Sequence, residues 1–191
     1  MPEEAPLTVP PAASAVVETA LAAVREAGVA APRIVIDGRS GAGKTTVARA
    51  LAAAWPGACR LVSLDEFYPG WSGLREGSRI AAGLLAAHAS GRTGRYRRWD
   101  WERGVWDAEG DPVDPAVPLV VEGCGALSVA AARHATASIW MDGDAGLRRE
   151  RALARDGEGF EPFWDMWADQ ESAHIRREDP QALATTAITA C

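Results

Sequence analysis

The single lysine of this 191-residue chain stands inside a sequence that matches a phosphate-binding loop. Lys44 is the one lysine among 20 basic residues, and it belongs to Gly38-Arg39-Ser40-Gly41-Ala42-Gly43-Lys44-Thr45, which matches G-x-x-x-x-G-K-[ST]. An ammonium group acts on phosphates as a compact charge, whereas a guanidinium is a wide planar fork. Because the chain otherwise uses arginine, the retained lysine indicates a chemical requirement.

The loop pattern predicts that the chain binds the phosphates of a nucleotide together with Mg²⁺. Backbone N–H groups of the loop and the start of the next helix would hold the phosphates. Lys44 would reach the β- and γ-phosphates, and the Thr45 hydroxyl would bind Mg²⁺. The predicted cofactor-binding residues are Gly38, Arg39, Ser40, Gly41, Ala42, Gly43, Lys44, Thr45 and Thr46.

Two carboxylates follow other strand-like runs. Asp65 comes after Arg60–Leu64 and is the candidate base that would take the proton of an acceptor hydroxyl. The alternative for Asp65 is a helix N-cap or turn residue. Glu122 ends an apolar run, where a lone carboxylate is costly unless it faces a site. We therefore expect Glu122 near Mg²⁺, through water, with a structural role as the alternative.

Four arginines are concentrated on one predicted helix, 144–155: Arg148, Arg149, Arg151 and Arg155. Phosphoryl-transfer enzymes place arginines on the transferring group, and the following Asp156–Gly159 offers flexible residues for a hinge. We predict an arginine-bearing lid over about 143–160, with Arg151 and Arg155 as the pair that faces the nucleotide. The alternative is a solvated helix face.

Aromatic and charged residues alternate in Tyr96–Trp101, and Trp106 follows. Apolar walls with a few polar groups are typical of small-molecule pockets. Tyr96, Arg98 and Trp101 are therefore candidate substrate contacts, and the alternative is a surface loop with buried aromatic rings. The isolated histidines are predicted to be structural: His88, His134 and His174.

The elements that would position these residues alternate along the chain. Predicted helices cover 12–28, 45–54, 74–88, 144–155 and 162–178, and predicted strands cover 33–37, 60–64, 117–123, 135–141 and 184–190. Residues 1–11 are predicted to form a loose arm, and 111–115 a loop. Short apolar strands without alternation indicate an α/β fold with a parallel sheet covered on both faces. Ligands of such sheets bind beyond the carboxyl ends of the strands.

The composition of the chain limits which classes of partner we expect. The net charge is −6, no lysine-rich run exists, and no apolar stretch approaches about 18 residues, so neither nucleic acid nor a membrane is expected as a partner. Glu3 and Glu4 replace the basic start of a secretory signal, and three cysteines without metal-ligand spacing fit a reduced cytoplasm. We expect one cytoplasmic domain over 1–191, and the oligomeric state is left open.

The chain resembles the uridine kinase-like branch of P-loop kinases, which also contains phosphoribulokinase and one type of pantothenate kinase. The resemblance is carried by Ile36–Thr46, Leu64–Tyr68 and Val120–Gly123, continues weakly into the arginine helix, and spans about 33–156. It implies a P-loop NTPase three-layer sandwich around a five-stranded parallel sheet, with ATP and Mg²⁺ as cofactors. It also implies a hydroxyl acceptor that Asp65 deprotonates. It also implies that Tyr68 and Tyr96 lie near the acceptor. The segment that matches the base-holding segment of uridine kinases lacks the pocket histidine of that family.

The expected function is an ATP- and Mg²⁺-dependent kinase acting on a hydroxyl of a nucleoside-like or other polyol metabolite. One alternative is a nucleoside monophosphate kinase, in which Arg97, Arg98 or Arg103 would bind the acceptor phosphate. A second alternative is an ATP-binding regulator without turnover. A GTPase is disfavoured, because a chain whose one lysine is Lys44 has no Asn-Lys-x-Asp box for guanine.

Overall fold

The structure of the protein, a computed structural model, describes residues 11–190. Its helices are α1 (Pro11–Ala27), α2 (Lys44–Ala53), α3 (Leu74–Ala89), α4 (Val129–Ala132), α5 (Ala145–Asp156), α6 (Trp164–Glu178) and α7 (Pro180–Leu183). Its strands are β1 (Arg33–Gly38), β2 (Arg60–Ser63), β3 (Gly94–Asp100), β4 (Val105–Val113), β5 (Leu119–Glu122), β6 (Ala137–Gly143) and β7 (Thr186–Ala190). The arm predicted for residues 1–11 lies outside the described residues up to Pro10, and α1 begins at Pro11.

The main sheet has five parallel strands in the order β2-β5-β1-β6-β7. This confirms the predicted α/β fold with a five-stranded parallel sheet. The register pairs Ile36 with Glu122 and Glu122 with Ser63, so the carboxyl ends of three strands lie side by side. Residues that directly follow β1, β2 and β5 in sequence are therefore brought to one edge of the sheet.

Helices cover both faces of this sheet, because successive residues of each strand point to opposite sides. In β1, Val35 faces a core that includes residues of α3 and α6, whereas Ile34 and Ile36 face a second core with α1 and α2. Both faces of the central strands are fully buried, which explains their unbroken apolar sequence. The result is the predicted three-layer sandwich.

A separate antiparallel hairpin, β3–β4, stands outside the main sheet. The prediction of a loop over 111–115 was wrong at its start, because Asp111, Pro112 and Val113 pair with β3. Pro112 has no N–H to donate, but a two-stranded ribbon leaves an edge on which proline is tolerated. The two Asp-Pro pairs favoured a loop in the sequence, and only the cross-strand partners reveal the strand.

Candidate active site

The predicted P-loop connects β1 to α2 through glycines with positive φ, including Gly41 at 77° and Gly43 at 90°. A Cβ atom on Gly41 would collide with the backbone oxygen of Arg148. This position therefore requires glycine for two reasons, its positive φ and the lack of space for a side chain. Gly43 caps α2 without any side-chain hydrogen bond to the helix start. The first N–H groups of α2 thus have no side-chain cap, which is the arrangement that binds phosphate oxygens. Thr46, in this first turn, is exposed.

Lys44 is buried within the loop that it would serve, with 8% of its surface exposed. Its Nζ donates to the backbone oxygen of Arg39 at 3.0 Å and to Cys124 Sγ at 3.3 Å. Desolvation alone would lower the pKa of Lys44, but the acidic groups around it, among them Glu171 and Glu122, outweigh that effect and raise the pKa. The ammonium is therefore charged at neutral pH, as the predicted contact with phosphates requires.

Three oxygen-bearing side chains meet beside the loop. Glu122 Oε1 accepts hydrogen bonds from Thr45 Oγ1 at 3.0 Å and from Ser63 Oγ at 2.8 Å. Glu122 is 2% exposed, and burial raises its pKa, an effect that Lys44 opposes. Hard oxygen donors of this kind suit Mg²⁺, which takes its remaining ligands from phosphates and water. We name Thr45, Ser63 and Glu122 the oxygen cluster.

Ser63 was missed by the sequence reasoning. It ends β2 and lies opposite Glu122 in the sheet register, so its role follows from strand pairing that no local motif encodes. Within the described residues, no group of three or more histidine, cysteine, aspartate or glutamate side chains could hold a metal ion. The oxygen cluster has one carboxylate and two hydroxyls, which fits a cation that also binds nucleotide phosphates.

Asp65 lies in a short helical turn, Leu64–Glu66, directly after β2. The surface of Asp65 is exposed, yet desolvation of its carboxylate raises the pKa, an effect that Arg155 and Lys44 oppose. Trp101 Nε1 donates to the Asp65 backbone oxygen at 3.0 Å, which joins the hairpin to this turn. Asp65 therefore follows Ser63 of the oxygen cluster by two residues and lies within electrostatic reach of Lys44.

Arg148 is the buried arginine of α5, with 8% of its surface exposed. Its Nη1 donates to the Ser40 backbone oxygen at 3.2 Å, and its Nε donates to the Gly143 backbone oxygen at 3.0 Å and lies 3.1 Å from Asp142 Oδ1. These contacts fix the start of α5 to the P-loop. Sequence reasoning had placed Arg148 in the lid but had not selected it, since residue types alone do not give the helix face.

The arginines that were selected occupy the exposed side of α5. Arg155 donates to both carboxylate oxygens of Asp156, at 2.7 and 2.6 Å, and this pairing raises its pKa. Arg155 also acts electrostatically on Asp65, so it lies near the site. Arg151 is exposed as well. Their roles in catalysis remain predictions.

Tyr96 and Arg98 belong to a polar network at the base of the hairpin. Tyr96 OH donates to Glu66 Oε2 at 2.5 Å and accepts from Arg60 Nη2 at 3.1 Å. Arg98 lies 3.1 Å from the same Glu66 oxygen and 2.7 Å from Asp111 Oδ2. Burial, followed by the bond to Glu66, raises the pKa of Tyr96, which keeps its phenol protonated. Glu66 of this network is the next residue after Asp65, but the polar groups of the network bond to one another.

Tyr68 lies in the core, with 1% of its surface exposed. Its hydroxyl donates to the Cys124 backbone oxygen at 2.7 Å, and its ring packs edge-on against Trp167. The resemblance implied a position near the acceptor, whereas this geometry has Tyr68 supporting the loop after β5. A direct contact of Tyr68 with substrate is a prediction that these contacts do not support.

An aromatic cluster joins the hairpin tip to the end of the lid segment. Trp71 stacks nearly parallel on Phe160 and Phe163, with ring centroids 5.1 and 5.0 Å apart, and contacts Trp101 at 4.8 Å. Trp101 is 40% exposed and is the open side of this cluster. The sequence reasoning selected Trp101 alone, because the other rings come from distant segments.

A second buried acid, Glu171 on α6, contacts the P-loop and was not selected from the sequence. Its Oε1 accepts from the Ser40 N–H at 2.8 Å and from Ser40 Oγ at 2.7 Å. One turn later, His174 Nε2 lies 3.5 Å from Asp37 Oδ2 and 3.1 Å from the Leu127 backbone oxygen, consistent with its predicted structural role. Helix α6 thus supports both β1 and the loop.

Comparison with known proteins gives structural neighbours only. No family model matches the chain, and no curated protein matches it. A solved structure from Silicibacter, provisionally described as a fructose transport system kinase, aligns with a TM-score of 0.57 at 17% identity, covering 92% of this chain and 98% of its own. A possible uridine kinase from Bacillus stearothermophilus aligns with a TM-score of 0.60 at 14% identity, covering 92% and 96%. At this identity the likeness is one of fold, and this chain has the fold of P-loop kinases.

Proposed function

We propose that the protein is a kinase that uses ATP and Mg²⁺ to phosphorylate a hydroxyl of an unphosphorylated nucleoside-like or other polyol metabolite. One observation carries the proposal. Thr45 of the P-loop and Ser63 at the end of β2 both donate hydrogen bonds to Glu122, and Asp65 follows Ser63 by two residues. A phosphate loop, a set of hard oxygen ligands and a carboxylate with a raised pKa therefore lie along one sheet edge.

The residues divide the chemistry among them. Lys44 and the loop N–H groups would hold the phosphates, and Thr45 and Glu122, aided by Ser63, would hold Mg²⁺, directly or through water. When bound, the metal neutralises charge on the phosphates. Asp65 takes the proton from the acceptor hydroxyl, and Arg155, with Arg151 as the second predicted lid arginine, stabilises the charge that develops during transfer.

The acceptor side favours a substrate without a phosphate group. The arginines that a monophosphate acceptor would need are bound to protein partners. Arg97 donates to the backbone oxygens of Asp107 and Trp106, Arg98 pairs with Glu66 and Asp111, and Arg103 lies 3.8 Å from Asp100. The open side of the aromatic cluster, Trp101, instead offers a flat apolar surface for a base or a sugar face. Trp101 therefore remains the proposed acceptor contact, whereas Tyr96 and Arg98, which were also predicted to contact the acceptor, are both held by Glu66.

The remaining expectations are part of the same proposal: one cytoplasmic domain over 1–191, with neither nucleic acid nor membrane as a partner. Among the described helices, none combines the length and the apolar character needed to cross a bilayer. The acidic net charge of the chain, −6, supports the absence of a nucleic-acid partner.

The test is ADP release from Mg-ATP across a panel of nucleosides, nucleoside monophosphates, pantothenate and sugar alcohols, with Lys44→Ala as the control. Turnover on an unphosphorylated alcohol, absent in the control, is the expected result. Turnover confined to monophosphates would replace the proposal by the monophosphate kinase alternative. ATP binding without turnover on any acceptor would favour the regulator.

A further inference from the structure

Glu171 places a buried carboxylate against the P-loop. Its residue is 5% exposed, and Oε1 accepts hydrogen bonds from both the N–H and the hydroxyl of Ser40. Loop N–H groups of this kind are donors to anions. The carboxylate of Glu171 therefore already accepts a hydrogen bond from an N–H group of the loop.

The same carboxylate shares the cations that nucleotide phosphates need. The thiol of Cys124 donates to Glu171 Oε1 at 3.2 Å and accepts from Lys44 Nζ at 3.3 Å, so it bridges the acid and the lysine. On the other side, Arg39 Nη1 lies 3.8 Å from Glu171 Oε2. Glu171 also contributes to the raised pKa of Lys44, as expected for a partner that neutralises it.

Glu171 contacts one limb of the loop and leaves the other open. It bonds Ser40, on the β1 side, whereas the turn from Gly43 into α2 has no side-chain cap. A phosphate held at the α2 side would meet little opposition. A further phosphate that approaches Lys44 from the Ser40 side would meet a like charge in a poorly hydrated space, where repulsion is strong.

We propose that Glu171 is a built-in competitor of the terminal phosphate, and that it sets the preference of the loop between nucleoside triphosphate and diphosphate. The inference rests on the proposed nucleotide-binding function and adds a specificity-determining residue to it. Removing the charge relieves the repulsion on a triphosphate more than on a diphosphate. Glu171 acts through Ser40 and Lys44 rather than on the acceptor.

The experiment compares equilibrium binding of Mg-ATP and Mg-ADP, without acceptor, to the wild type and to Glu171→Gln. We expect Glu171→Gln to bind Mg-ATP about tenfold more tightly, equivalent to about 1.4 kcal/mol, and Mg-ADP less than threefold more tightly. Glu178→Gln is the matched control, because Glu178 lies on the same helix and accepts from the Val129 N–H at 3.0 Å, away from the loop. The control should leave both affinities unchanged.

The outcomes separate the inference from the proposed function. Folded Glu171→Gln with unchanged or weaker Mg-ATP binding, or with equal gains for both nucleotides, would overturn the inference while the kinase proposal stands. Binding by neither the wild type nor Glu171→Gln would overturn both. If Glu171→Gln fails to fold, Glu171→Asp retracts the carboxylate by one methylene and should tighten Mg-ATP about threefold, and no change there would overturn the inference.

Discussion

The proposed nucleotide side and the proposed acceptor side of the site are built in different ways. The nucleotide side uses one continuous segment from Gly38 to Thr45, fixed by backbone geometry and by the neighbouring strand ends. The proposed acceptor side is assembled from the hairpin tip, the turn after β2 and the segment after α5, which are held together by aromatic contacts and the hydrogen bond from Trp101 to Asp65. In the proposed kinase, the groups that bind phosphates are therefore encoded by one local segment, whereas selectivity for the acceptor would depend on tertiary packing.

The largest effect should come from the carboxylate where the two sides meet. Asp65→Asn should reduce kcat about 1000-fold, since it removes the base while leaving the shape of the side chain. The affinity for Mg-ATP, measured by calorimetry, should change less than threefold. Asp107→Asn, on the exposed part of β4, is the control and should retain full activity. Normal turnover in Asp65→Asn would show that the base lies elsewhere.

The aromatic cluster should affect the acceptor alone. Trp71→Ala removes the ring that contacts Phe160, Phe163 and Trp101, so the acceptor KM should rise about 30-fold, through lost packing of the pocket wall. The variant should also lose about 3 kcal/mol of stability, measured by denaturant unfolding. Trp99→Ala breaks a separate pair with Trp106 and serves as the control. A matching rise in the KM for ATP would contradict the division into two sides.

We expect the affinity for Mg-ATP to depend on Arg148. Arg148→Ala removes the bond to the Ser40 backbone oxygen and should weaken Mg-ATP binding about tenfold, since the loop loses a buried charged support. The acceptor KM, measured at saturating ATP, should change little. Arg149→Ala, the exposed neighbour on α5, should have no effect on either quantity. Equal effects of the two variants would mean that the helix contributes charge rather than anchoring.

The smallest effect concerns stability and pH at the oxygen cluster. Burial raises the folded-state pKa of Glu122, so the folded state binds the proton more tightly than the unfolded state. This carboxylate therefore makes the free energy of unfolding fall as pH rises from the ordinary glutamate pKa toward the raised value. Glu122→Gln should remove that dependence and gain about 1 kcal/mol at neutral pH, while weakening Mg²⁺-dependent ATP binding.

The measurement is urea unfolding of both proteins between pH 4 and 8, without nucleotide, in the range where the acid titrates. Glu76→Gln is the control, because this exposed acid pairs with Arg79, which lowers its pKa. A wild-type stability advantage over Glu122→Gln at neutral pH would mean that the ionised carboxylate is stabilised by its two hydroxyl donors despite burial.

Sequence reasoning recovered the parts of the fold that depend on local pattern. The apolar runs at 33–37 and 117–123 predicted β1 and β5, because strands buried on both faces must be apolar throughout. The hairpin was only partly visible, since β4 carries exposed polar residues and Pro112, and its stability comes from cross-strand partners.

The residues of the candidate site also fall into those that local sequence reveals and those that it does not. Lys44, Thr45 and Glu122 could be chosen because their spacing or their cost in an apolar strand indicates function. Ser63, Glu171 and Trp71 could not, because a serine at a strand end, an acid on an amphipathic helix and a lone tryptophan have ordinary explanations in sequence. Their positions follow from strand register and from how α6 packs on the sheet.

The attachment of Arg148 to Ser40 has a mechanical consequence. Arg148 lies near the start of α5, and Asp156 ends that helix eight residues later, about 12 Å along its axis. Because the start of α5 is attached to the P-loop through Arg148, a movement of the loop rotates the whole helix about this attachment. A rotation of about 5° about this attachment moves the far end of α5, where Arg155 lies, by about 1 Å. In the proposed kinase, a small movement of the phosphate-binding loop would therefore be converted into a displacement of Arg155, which acts electrostatically on Asp65.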